Sequence, residues 1–184
     1  VDGKTANGLI RHSQAYRVVS VIDSSHNRQD SGQILDDVIN NIPIFGNLKA
    51  AVVHERKVPD TFIYGMAPST GKLSSQDRIV ILDAIAMGMN IVSGLHEYLS
   101  EDSEIAAFAS KHDVTIRDIR KPKQSKDMRL FDGSIKNVNA VRIAVLGTDC
   151  AIGKRTTATV LARALNAKGI KTVLVGTGQT GLMQ

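Results

Sequence analysis

Residues Gly147, Thr148, Asp149, Cys150, Ala151, Ile152, Gly153, Lys154, Arg155, Thr156 and Thr157 form a run of glycines, a lysine and hydroxyls spaced to hold phosphate. Gly147 and Gly153 admit the positive φ values that a loop closing around an anion needs. Lys154 has the reach to meet outer phosphates, and a hydroxyl just beyond it, Thr156 or Thr157, can ligate Mg²⁺. The pattern departs from G-x-x-x-x-G-K-[ST] in two respects. Five residues separate the glycines, and Arg155 stands where the magnesium hydroxyl is expected. Either Thr156 or Thr157 supplies that hydroxyl, Thr156 being the metal-ligand candidate, or Arg155 adds a second cation and the phosphate is held without Mg²⁺. Cys150, inside the loop and far in sequence from any histidine, reads as a packing or backbone-contact residue rather than a nucleophile.

A loop of this kind needs a strand to deliver it and a helix to receive it. Residues 141–146 (VRIAVL) are rich in β-branched side chains and predict a buried parallel strand. Residues 157–168 place Val160, Leu161, Ala164 and Leu165 on one helical stripe, with Gly169 as the stop signal. The first-turn N–H groups of that helix lack intrahelical partners and its dipole is positive there, so an anion is stabilised before any side chain is counted. Residues 171–175 read as the next strand, running into a glycine-rich turn whose Gln179 and Thr180 are substrate-contact candidates.

The first half alternates in the same way. Helices are expected at 4–13, 48–55, 75–89 and 103–112, and strands at 17–22, 42–45, 61–66, 90–93 and 115–118, an order that predicts parallel α/β packing. Asp23 closes the first strand, where an acidic residue can bond a ribose hydroxyl, and is a substrate-contact candidate or a turn former. His96 and Glu97 follow the strand at 90–93 and are the catalytic candidates: a general base beside a carboxylate that orients it, or the exposed first turn of a short helix. Residues 117–136 are polar and basic with Pro122 and Gly133 as breakers, a linker composition.

Two resemblances build on these motifs. The spacing G-T-D-x-x-x-G-K resembles the phosphate loop of dethiobiotin synthetase and related ATP-dependent ligases. The segments KTANGLIRHS, RVVSVIDSSHNRQDSGQIL, NIPIF, NIVSGLHEYLS, IRDIRKP, GTDCAIGKRTTA and GTGQTGL follow one another as in a bacterial and archaeal family that includes the D-glutamate N-acetyltransferases. That resemblance implies a Rossmann-like half joined to a dethiobiotin-synthetase-like P-loop half, and an N-acyltransferase acting on a D-amino acid such as D-glutamate with acetyl-CoA. It also implies that this chain is truncated at both ends.

Composition excludes several classes. One cysteine among 184 residues permits no intrachain disulfide framework or multi-cysteine metal site. The formal charge of +5 comes without tryptophan and with 4% aromatic residues, which argues against a stacking nucleic-acid surface. No apolar run is long enough to span a membrane. The sequence therefore predicts an α/β protein: a Rossmann-like domain at 1–120, a basic linker at 121–138 and an incomplete P-loop domain at 139–184. Its expected ligand is ATP or acetyl-CoA, with Mg²⁺ possible, and its expected partners are a small-molecule substrate and further copies of itself in a cytoplasmic homo-oligomer. The rival readings are an ATP-dependent carboxylate ligase and a non-catalytic nucleotide-binding module.

Overall fold

The computed structural model describes residues 3–149, 152–176, 178, 181 and 183. The chain divides into two compact units, one from Val1–Arg120 with Gly178–Gln184 and one from Lys121–Thr177.

The first unit is a parallel α/β structure. Strands β1 (Val21–Ile22) and β2 (Ile44–Phe45) pair in one short ladder. Strands β3 (Thr61–Tyr64), β4 (Asn90–Ser93) and β5 (Ile116–Asp118) form a second, in chain order, with β4 central. Thr61 pairs with Asn90 and Tyr64 with Ser93 on one edge of β4, and Ile91 with Ile116 on the other. The helices of this unit are α1 (Lys4–His12), α2 (Ser31–Asp36), α3 (Leu48–Glu55), α4 (Ser75–Ala86) and α5 (Ser103–Lys111).

Successive side chains of a strand point to opposite faces, and β4 shows what each face buries. Ile91 joins Ile81, Ala84 and Ile85 of α4 and Ile105 and Ala109 of α5 in the larger core cluster. Val92 joins Leu9 of α1, Ile119 and Met183 in a smaller one. Helices thus cover both faces of this sheet, the arrangement that a continuous apolar strand requires. Ile81, Ile85, Ile91 and Ile105 are wholly buried. At roughly 1.5–3 kcal/mol for each fully buried aliphatic side chain, this cluster outweighs any single capping bond.

Caps fix the helix ends. Ser74 accepts the Asp77 N–H at the start of α4, and Asp102 accepts those of Glu104 and Ile105 at the start of α5. α4 ends in a six-residue closure in which Met89 N–H donates to Ala84 C=O and Gly88, at φ 82°, takes the left-handed position. The carboxylate of Asp118, at the end of β5, accepts the N–H groups of Leu99 and Ser100 and anchors the turn at Leu99–Glu101.

The second unit holds α6 (Lys154–Ala167) and two short 3₁₀ turns, Ser125–Asp127 and Ser134–Asn137. α6 closes as α4 does: Ile170 N–H donates to Leu165 C=O, and Gly169, at φ 78°, supplies the left-handed residue.

Two strand expectations are corrected. Residues 141–146 and 171–175 carry no regular secondary structure, and no ladder pairs them among the described residues. Val141 is 92% exposed and Val175 82%, and the helical stripe expected on α6 is uncovered at Val160. A parallel strand is held by neighbours on its edges and helices on its faces, and among the described residues no edge neighbour is supplied to these segments. In the first unit the expected strand at 17–22 shrinks to Val21–Ile22, because its partner β2 offers only two paired residues. The helix expected at 75–89 ends at Ala86, where the Gly88 closure stops it.

Candidate functional site

The phosphate loop sits in the second unit and has a specific internal geometry. Gly153, at φ 93°, is the left-handed residue that opens α6, and as its N-cap it brings no side chain to that end. The first intrahelical bond of the turn runs from Thr157 N–H to Gly153 C=O at 2.9 Å. Lys154, on the first turn, folds back so that its Nζ donates to the backbone carbonyl of Asp149. Gly147 is packed closely by side chains: a Cβ there would lie 2.5 Å from Ile152 Cδ1 and 3.1 Å from Lys154 Cγ and Cδ, so both side chains would have to shift. The two glycines therefore do different work, Gly153 through its φ and Gly147 through space.

Arg155, Thr156 and Thr157 are all exposed on the first turn of α6. Thr159, one turn on, is buried and donates its hydroxyl to the Arg155 carbonyl at 2.9 Å, which closes the helix side of the loop. Thr148 and Asp149 are exposed. Cys150, Ala151, Gln179 and Thr180, also named from the sequence, lie outside the described residues.

In the first unit the candidates lie at carboxyl ends of parallel strands, the edge where α/β sheets bind ligands. His96 follows β4 and is exposed; its backbone N–H donates to Gly71 C=O, and a Cβ on Gly71 would lie 2.9 Å from the imidazole Cδ2. Glu97 does not orient this imidazole. Its carboxylate accepts the N–H of Leu73 instead, because adjacent residues leaving the strand point apart, and the pair together clasps the loop before α4. Nearby, the buried Tyr64 hydroxyl donates to Asp77 at 2.9 Å, and burial together with that carboxylate pushes the phenol well above its ordinary range.

The imidazole–carboxylate pair expected at His96 and Glu97 is instead found at His26 and Asp23. Asp23 ends β1 and caps the 3₁₀ turn Ser24–His26: one carboxylate oxygen accepts Ser25 N–H at 2.8 Å and the other meets His26 Nδ1 at 2.8 Å. The imidazole first, and then the Ser25 N–H, hold the Asp23 carboxyl below the usual carboxylate range against a partial cost of burial. The signal was present as Asp and His three apart, but it has meaning only in a 3₁₀ turn, where i and i+3 eclipse. Among the described residues, no group of three His, Cys, Asp or Glu side chains is placed to hold a metal ion.

Comparison with known proteins places these features. Residues 24–122 match the model of a Rossmann-like domain of unknown function, DUF1611_N, and residues 129–184 match the DUF1611 P-loop domain. The chain belongs to the DUF1611 family. A crystal structure of a DUF1611 family protein from Anabaena variabilis superposes with a TM-score of 0.85 at 30% identity, covering 100% of this chain and 51% of that one. Two curated relatives named D-glutamate N-acetyltransferase are similar over 123 residues, 67% of this chain and 36% of theirs. The protein from Tritonibacter scottomollicae is 34% identical and that from a Pseudoalteromonas species 35%. The matched region thus spans about a third of the curated relatives' length. The α/β reading, with a Rossmann-like first half and a P-loop second half, stands on the family match and on the parallel ladders together. No described helix is long and apolar enough to cross a membrane.

Proposed function

We propose that the loop from Gly147 to Thr157 grips the phosphates of acetyl-CoA and that the protein is an N-acyltransferase for a D-amino acid such as D-glutamate. The observation that carries the phosphate reading is the junction at Gly153: a helix start whose N-cap is a glycine in the left-handed conformation, with Lys154 folded back to the Asp149 carbonyl. The N–H groups of that first turn and the helix dipole favour an anion, and an ammonium bonded to a neutral carbonyl gains by exchanging it for an anionic oxygen. The names of the curated relatives support acetyl transfer to D-glutamate.

Chemically, the reaction joins an amine nitrogen to the thioester carbonyl carbon and releases the thiol. The loop's part in it is positioning: phosphates held at a fixed helix end hold the far end of the acyl donor in one place. Thr156, exposed on the first turn of α6, is the hydroxyl that would meet a magnesium ion arriving with a nucleotide. That hydroxyl and the G-T-D-x-x-x-G-K spacing favour the second reading, a ligase that activates a carboxylate with ATP.

The two separate in one assay on the full-length protein. Acetyl transfer releases free CoA from acetyl-CoA and D-glutamate with no nucleotide present. Ligation consumes ATP only with Mg²⁺ and a carboxylate. CoA release without ATP supports the first reading, and Mg²⁺-dependent ATP consumption with no CoA release overturns it.

A further inference from the structure

The two helices that cover the Ile91 face of the first unit's larger sheet leave a groove between them at the surface. It measures about 340 Å³ and is lined by Leu82 of α4 and by Glu104, Ala107, Phe108 and Lys111 of α5. Leu82 and Phe108 are half-buried and pack inward against the larger core cluster, whereas Ala107 is exposed. The Phe108 ring is held by the His112 imidazole, 4.2 Å away between ring centres. Ile79, three residues before Leu82, and Ala86, four after it, continue the apolar surface along α4, and Ile79 is 61% exposed. Contiguous exposed apolar groups with charged residues at the rim mark an association surface.

The charges of this groove lie at its two ends. At one end Arg78 Nη2 donates to Glu104 Oε2 at 2.6 Å and to Asp102 Oδ1 at 2.8 Å, so one guanidinium faces two carboxylates and that end is net negative. At the other end Lys111 forms no ion pair among the described residues. Glu104 and Lys111 are two turns of α5 apart, about 10.5 Å along its axis, and so share one face. Their midpoint falls between Ala107 and Phe108. An antiparallel copy of α5 laid across that midpoint sets Glu104 of each chain against Lys111 of the other, and the small side chain of Ala107 lets the two helices approach. A groove for an unrelated partner is under no requirement to carry opposite charges at equal distances from its centre. A two-fold interface that contains charge is, because every contact occurs twice with the roles exchanged.

We propose that the α4–α5 groove is where a second copy of this chain docks, forming a two-fold dimer with antiparallel α5 helices. Leu82, Phe108 and Ile79 of each copy supply the apolar centre, and the two Glu104–Lys111 crossings at the rim set the register. The interface stands independently of which reaction the protein performs.

Sedimentation velocity of the full-length protein tests this at low ionic strength, where exposed ion pairs are least screened. A dimer is expected. Lys111→Glu sets two carboxylates against each other at both crossings, and the dissociation constant is expected to rise about tenfold. Adding Glu104→Lys exchanges the charges and is expected to bring the constant back to within about threefold of wild type. Ala107→Glu puts like charges beside the axis and is expected to leave a monomer, with the far-UV circular dichroism unchanged because the site is exposed. A wild type that sediments as a monomer overturns the proposal, whether the groove is then bare or covered by another segment of the full-length protein. An oligomer that neither Ala107→Glu nor Lys111→Glu weakens also overturns it, as does a double variant no tighter than Lys111→Glu alone.

Discussion

Arg78 reaches from α4 to both carboxylate oxygens of Asp102, the residue that caps α5, with Nη1 to Oδ2 at 2.7 Å and Nη2 to Oδ1 at 2.8 Å. One oxygen of Asp102 also accepts the N–H groups of Glu104 and Ile105, so a single carboxylate joins two helices and starts one of them. The same guanidinium meets Glu104 at 2.6 Å.

The consequence is a pH-dependent contribution to stability. Arg78 first, and then the Ile105 N–H, hold the Asp102 carboxyl down at about 2. An aspartate of ordinary pKa about 4 in the unfolded chain and lower in the folded one stabilises the fold above pH about 4, and the contribution fades as pH falls towards 2. Arg78→Met is therefore expected to lower stability at pH 7 by about 1 kcal/mol, the modest figure reflecting a pair open to solvent. The difference from wild type should shrink below pH 4. Thermal unfolding at pH 7, 4 and 2.5 checks this, and a difference that grows on acidification contradicts it.

Gly147→Ala should damage the loop without touching the first unit. The added methyl would press on Ile152 Cδ1 and on the stem of Lys154, so the lysine must shift from its bond to the Asp149 carbonyl. The expected outcome is at least a tenfold loss of affinity for acetyl-CoA with amide protection in β3 and β4 unchanged, measured by calorimetry and hydrogen exchange.

The two units should differ in protection. The buried apolar clusters lie in the first unit, whereas Val141, Leu146, Val173 and Val175 of the second are more than three-quarters exposed. Local stability follows buried contacts. Amides at 141–146 and 173–175 are expected to exchange close to the unstructured rate, while those of Ile91 and Val92 exchange slowest. Equal protection in both regions contradicts the description of these segments as unpaired.

What the sequence made legible was local. α3 at 48–55 and β4 at 90–93 have the bounds that periodicity predicts, because Asn47 caps the one and β-branched residues between polar ends mark the other. α2 went unread although Asp30 is a strong cap, bonding Gly32 and Gln33, because six residues show too little periodicity. Residues 141–146 have strand composition, yet a ladder needs a partner segment, and partnership is not a local property. At the site, Gly153 and Lys154 were recognisable from type and spacing alone. The turn of Glu97 towards Leu73 and the pairing of Asp23 with His26 depend on which way two short loops fold, and no spacing rule contains that information.

If the first turn of α6 holds phosphate as proposed, Lys154 is its decisive side chain. Titration calorimetry of acetyl-CoA into wild type and Lys154→Ala measures it most directly, with hydrogen exchange confirming that α6 survives. An affinity at least tenfold lower in the variant is expected, about 1.4 kcal/mol or more. Equal affinity in the two proteins contradicts it.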